Sequence, residues 1–225
     1  MAVLTTDLLR ELRGTEWRVV GARAYRMVRS SDLAMIYGGI VVAVAVVLAV
    51  LPDNVHDEVV LRTSTNLANL QQHPMYVLFA SAFVVSNLLG LWMVPFMMMA
   101  YAAGQRWLGR GPTVVAAVIG HVGATLLVAV LLVTGIAHHV VDESVAHEPD
   151  VGISYAFACV AGLLVPLIPK RFRPWYVALL LVEFCGPALI DANFTDLGHT
   201  TALCTGFGLG LLATRAADAA LRHAR

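Results

Sequence analysis

Charge is scarce in this sequence. Only 13% of its 225 residues are Asp, Glu, Lys or Arg, and 59% are hydrophobic, whereas a soluble domain is about 25% charged and about 45–50% apolar. That balance excludes an ordinary soluble domain. The formal net charge is zero, with 15 basic and 15 acidic residues, and no basic-aromatic module is present, so no nucleic-acid partner is expected. Cysteine is rare: Cys159, Cys185 and Cys204 lie in apolar runs without CxxC spacing, which argues against a disulfide framework or a zinc site. They read as membrane-buried thiols used as small packing residues. Lysine is nearly absent, since Lys170 is the one lysine among the fifteen basic residues, a bias that fits a GC-rich bacterial genome. No low-complexity segment, internal repeat or cleavable signal peptide is apparent.

What is present is a series of long apolar runs. A bilayer core about 30 Å thick takes roughly 20 apolar residues per helix. Leu33 to Leu51 qualifies as the first span, and Asn54 to His73 is polar. Pro74 to Ala103 is too long for one span and reads as an interfacial or re-entrant piece followed by a helix from Leu88 to about Ala103. Gly111-Pro112 signals a helix start, and Thr113 to Ile136 forms the third span. Gly152 to Ile168, Trp175 to Ile190 and Gly198 to Ala213 are the fourth, fifth and sixth. The expected fold is thus an all-α polytopic membrane protein with six transmembrane helices. Its domain 33–213 lies between an Arg-rich amphipathic segment, 1–32, and a polar tail, 214–225. Residues Asp7 to Arg29 read as an interfacial helix drawn to anionic lipid.

Basic residues cluster before the first span and after the second, fourth and sixth, whereas the intervening loops hold Arg62 alone and most of the acids. The positive-inside rule then puts both termini in the cytoplasm of a multi-pass plasma-membrane protein.

Two polar residues share a depth. Ser154 precedes Lys170 by sixteen residues and His199 precedes Arg215 by sixteen. At about 1.5 Å per residue, each lies roughly 24 Å above its cytoplasmic anchor. Under His199 runs a stripe of Ala202, Gly206 and Gly210, and under Ser154 one of Ala158, Ala161 and Gly162. Small residues let membrane helices approach closely; if the stripes face each other, the serine meets the histidine. A serine hydroxyl becomes a nucleophile when a neighbouring base takes its proton, and histidine is the usual base near neutral pH. The alternative is that Ser154 bonds back to its own helix and His199 is a packing residue.

Gly152-Ile153-Ser154, opening the fourth span, resembles the GxSG motif of rhomboid intramembrane serine proteases. His199-Thr-Thr-Ala202-Leu-Cys-Thr-Gly206 is similar to their sixth-helix HxxGxxxG pattern, with alanine for the first glycine. "GQRWLGRG", Gly104 to Gly111, looks like the family's ExR-type, glycine-ended turn. The resemblance covers roughly Leu33 to Ala213. It implies a Ser154–His199 dyad without a third carboxylate, cleavage of membrane-spanning protein substrates through an acyl-enzyme, and help to the oxyanion from the Ser154 backbone N–H. It also implies a lid at Asp191 to Leu197 and a lateral gate at the fifth helix. No cofactor or metal is expected; the partners are transmembrane substrates or clients and the bilayer.

Three positions depart from the family pattern. Tyr155 stands where a glycine follows the serine. Leu89 and Met93 occupy the HxxxN positions that support the oxyanion, leaving Asn87, Ser86 or His121 as substitutes. Ala158 stands where a tyrosine usually stacks on the histidine, a space open to Tyr155 or Phe157. Losing one oxyanion donor costs about 10²–10³ in rate, so the alternative function is an inactive rhomboid-like protein that binds transmembrane helices. Other readings are weaker. Glu183, His121 and Pro187 would make a proton path in a transporter, but the chain is short and lacks inverted repeats. His138, His139 and His147 with neighbouring acids read as a solvated loop rather than a metal site, since no HExxH-like motif accompanies them.

Overall fold

The structure, a computed structural model, describes residues 31–190 and 193–223. The amphipathic segment expected at Asp7 to Arg29 lies outside the described residues, as do Asp191 and Ala192 of the expected lid. The described chain is helical, with no strand. Nine α-helices form it: α1 (Asp32–Ala49), α2 (Asp53–Thr63), α3 (Leu67–Gln72), α4 (Pro74–Ala80), α5 (Val94–Leu108), α6 (Arg110–Ala137), α7 (Ile153–Leu163), α8 (Arg173–Cys185) and α9 (Phe194–His223). Among the described residues α1 and α6 are the two long and apolar enough to cross a membrane on length and composition.

The remaining apolar runs are interrupted for local reasons. After α4 come a short 3-10 stretch (Ser81–Phe83), an extended turn and a second 3-10 stretch (Leu88–Met93) before α5 begins. Asn87 caps that second stretch, its side-chain oxygen accepting from the Gly90 N–H at 3.0 Å. Pro166 and Pro187 each lie in a 3-10 turn just after α7 and α8, where a missing N–H ends the i→i−4 ladder. The polar stretch between the first two runs is not an open loop but the helix pair α2 and α3, and α9 continues through the expected polar tail as far as His223.

At the centre stands α7. Every residue of it except Ser154 is buried, and it packs against α5, α6, α8 and α9, most extensively against α9. That contact is backbone on backbone: a Cβ added at Gly206 would collide with the Cys159 carbonyl, and one at Gly162 would lie 2.8 Å from the Leu203 oxygen. Such closeness brings dispersion and weak Cα–H···O contacts. Of the three thiols Cys159 is buried in the bundle, Cys185 is half-buried and Cys204 lies on the bundle surface.

The turn between α5 and α6 ties the bundle to the start of α1. Gly109 adopts φ 91°, a conformation open to glycine. Just before it, the Gln105 amide donates to Asp32 at 2.6 Å and accepts from the Leu33 N–H at 3.2 Å. Arg110 completes the cluster as an ion pair with Asp32.

Candidate active site

The helix α7 has eleven residues, about 16 Å at 1.5 Å each, roughly half a bilayer core. Its N-terminus starts inside the bundle, where Gly152 and Ile153 are buried, and Ser154 sits in its first turn. Helices leave their first N–H groups without intrahelical acceptors, so free donors and the positive end of the helix dipole surround the hydroxyl.

His199 reaches this point from α9. Its Nε2 lies 2.9 Å from Ser154 Oγ, within range for the hydroxyl to donate to the ring. With Nε2 accepting, the proton resides on Nδ1, which is buried without a partner among the described residues. Among the described residues no carboxylate hydrogen-bonds to the ring. Its orientation comes instead from two aromatic neighbours: Tyr155, edge-on at 5.1 Å between centroids, and Phe184, tilted at 5.8 Å.

Tyr155 is wholly buried. Its ring fits because residue 198 is glycine, where a Cβ would collide with the phenol. Its hydroxyl donates to Asp150 Oδ2 at 3.3 Å. Asp150 in turn accepts from the Thr65 hydroxyl, and its own N–H donates to Ser64 Oγ at 3.1 Å. The Thr65 N–H donates to the Asp150 carbonyl at 2.7 Å. A buried polar knot of Ser64, Thr65, Asn66 and Asp150 thus lies above the dyad and joins the α2–α3 connection to the residues leading into α7. Burial pushes the Asp150 carboxyl up to about 6, against the hydrogen bonds from Tyr155 and Thr65, which pull it down.

The other candidates separate. His121, on α6, packs its ring against Gly152, where a Cβ would clash with it. Its Nε2 lies 2.9 Å from the Leu78 carbonyl and 3.3 Å from Ser81 Oγ, while the Ser81 carbonyl accepts from the Gly152 N–H at 3.1 Å. An Nε2–H donates to Leu78 and the ring braces the Gly152 turn, while Nδ1 is buried without a hydrogen-bond partner among the described residues. Asn87 and Ser86 are exposed, and the Asn87 oxygen is engaged by Gly90. Met93 is half-buried and packs on the main core. Nothing is described of the Leu89 side chain. Ala202 is buried beneath His199, and a Cβ on Gly210 would lie 2.7 Å from the Leu163 carbonyl. Among the described residues no three His, Cys, Asp or Glu side chains gather as metal ligands.

Sequence reasoning passed over Asp150, Ser64 and Thr65. Asp150 counted only as one outer acid, although its place four residues before the serine was a usable signal.

With this geometry in hand, the sequence comparison is decisive on one point. Residues 26–219 match the family described as rhomboid-like protein. The chain belongs to that family. No curated protein and no solved structure matches it. Family and apolar helices together make it a membrane protein, and the family implies membrane-protein substrates or clients in a bilayer. For a rhomboid-like protein, a serine–histidine contact at the top of the central helix is the feature that bears on activity.

Proposed function

We propose that this rhomboid-like protein is an intramembrane serine protease that cuts membrane-spanning proteins with a Ser154–His199 dyad. The observation that carries the reading is the 2.9 Å contact between His199 Nε2 and Ser154 Oγ, made at a helix N-terminus. His199 takes the hydroxyl proton as Ser154 Oγ attacks a substrate carbonyl carbon. The oxygen that becomes negative is met by the backbone N–H of Ser154 and its first-turn neighbours. His199 then gives its proton to the leaving amine, and the acyl-enzyme forms. Water repeats the cycle: His199 removes its proton, the ester carbonyl is attacked, and Ser154 is released with its hydrogen. Tyr155 backs the imidazole from the position after the nucleophile, doing what the family's tyrosine does from the place held here by Ala158.

The six-span reading belongs to this proposal: α1, the broken α4–α5 unit, α6, α7, α8 and α9 are the crossings, both termini are cytoplasmic, and the membrane is a bacterial plasma membrane. The charge pattern of the loops supports it.

A fluorophosphonate probe applied to the detergent-purified protein tests the dyad. Wild type is expected to label, and Ser154→Ala and His199→Ala to lose labelling by at least about 10³-fold. A folded wild type that stays unlabelled overturns the protease reading. A second reading, an inactive family member that holds transmembrane helices, is favoured by the two residues at the HxxxN positions: Leu89 and Met93 carry no side-chain hydrogen-bond donor. It gains if no label appears.

A further inference from the structure

Between α5 and α8 opens a cleft of about 310 Å³. Its walls are apolar, built by side chains such as Trp92, Phe96, Met99 and Leu179, all exposed on the bundle surface. One carboxyl lines it, that of Glu183, and no basic side chain does. Tyr176, the other ionisable side chain of the wall, already donates to the Ala161 carbonyl at 3.0 Å. The Glu183 carboxyl has no hydrogen bond or ion pair among the described residues.

A carboxyl within a membrane helix is costly unless it finds a partner or a polar pathway. Glu183 follows Arg173 by ten residues on α8, about 15 Å up the helix and so about half of a bilayer core from that end, and α8 ends two residues later at Cys185. Lipid head groups do not sit at that depth; a side chain on a second helix does. The next residue, Phe184, is buried, packs on Phe157 at 5.4 Å and reaches His199. Whatever meets Glu183 is therefore close to whatever meets the dyad.

We infer that Glu183 selects the helix that enters this cleft, by pairing with a lysine or arginine carried on a client transmembrane helix within about two turns of the bond offered to Ser154. The inference rests on the protease reading for that bond, but not for the pairing itself. An ammonium or guanidinium held against a carboxylate in an apolar wall makes a charge-assisted hydrogen bond, stronger than a neutral one and demanding of geometry. A client without it leaves the carboxyl unpaired.

The test uses the full chain in proteoliposomes with single-span reporter helices that differ at one position, Leu, Gln or Lys, set at the depth of Glu183. Photo-crosslinking from the reporter reads capture, product bands read cleavage, and fluorophosphonate labelling of wild-type Ser154 is run in parallel. Wild type is expected to capture the Lys helix about tenfold better than the Leu helix, the scale of one such bond. Glu183→Leu should erase that preference and Glu183→Gln should keep part of it. Equal capture of all helices by wild type, or a Lys preference that survives Glu183→Leu, overturns the inference. So does capture that follows the phosphatidylethanolamine content of the vesicles and not the reporter, which would assign Glu183 to lipid amines. Absence of labelling with the preference intact would remove the protease reading and leave the selectivity standing.

Discussion

The two sides of α7 are built on opposite rules. Towards α9, glycine and alanine bring backbones into contact, and the interface has no room for another carbon. Towards α8, large side chains leave a cleft, and of α8 itself only Leu180 and Phe184 are buried. The dyad sits where these sides meet: Ser154 and His199 belong to the closed contact, while Phe184 comes from the open one. The lesson is mechanical. A 2.9 Å hydrogen bond between two helices needs a rigid spacing, whereas admission of another helix needs a wall that moves. Rigidity and access are divided between opposite faces of one short helix.

The sharpest way to break this comparison is to swap the rules. Gly206→Leu puts a branched side chain against the Cys159 carbonyl, so α9 must move or its register with α7 must slip. Overpacking a dense interior costs about 1–3 kcal/mol, and here the obstacle is backbone, which cannot rotate away. Thermal unfolding in detergent should show a large fall in stability, with loss of any Ser154 labelling. Met99→Leu, on the exposed cleft wall, should fall within about 0.5 kcal/mol of wild type. Similar responses from the two variants would mean that the faces are not mechanically distinct.

Much of the closed side was legible in the sequence. Ser154 and His199 each stand sixteen residues before a basic residue, and the small residues beneath them recur at helical spacing. Membrane helices read well this way because the bilayer fixes depth and the helix fixes phase. What stayed hidden depends on residues far apart in the chain. Thr65 meets Asp150 across 85 positions, and neither belongs to a periodic pattern. The pairing of Tyr155 with Gly198 was equally silent, since a bulky residue after the nucleophile reads as an obstacle until the glycine opposite is seen to make room. The broken apolar run from Pro74 to Ala103 was only half legible: its excess length called for a break, but the cap formed by Asn87 on Gly90 decides where the chain resumes as helix.

A smaller effect sharpens the comparison at the polar knot around Asp150. The Asp150 carboxyl is held near 6 by burial, above the ordinary value of 3.8. A group raised in this way contributes stability that is complete below its unfolded value and is lost as the pH rises through its folded value. Wild type should therefore lose roughly 3 kcal/mol between about pH 4 and pH 7 from this group. Asp150→Asn keeps an acceptor for Tyr155 and Thr65 and cannot ionise, so its stability over that window should fall less steeply. Parallel wild-type and variant curves would mean that the carboxyl is not the source of the slope.

The smallest expected change separates the two parts of Tyr155. Tyr155→Phe retains the ring that packs edge-on against His199 and removes the hydroxyl that binds Asp150. If the ring alone orients the imidazole, labelling of Ser154 should be nearly that of wild type, and stability should drop by about 1 kcal/mol for the lost hydrogen bond. If the hydroxyl also steers the ring, the labelling rate should fall severalfold, whereas Asp150→Asn alone, which leaves the hydroxyl an acceptor, should label nearly as wild type does. Tyr155→Gly, which brings back the family's residue at this position, is then expected to be worse than Tyr155→Phe and not better. It would leave a cavity worth about 3–5 kcal/mol beside His199, because in this chain the space opposite Gly198 has been filled by the phenol. A gain of activity in Tyr155→Gly would show instead that the tyrosine obstructs the nucleophile, and the brace on the histidine would have to be sought in Phe184, on the open side.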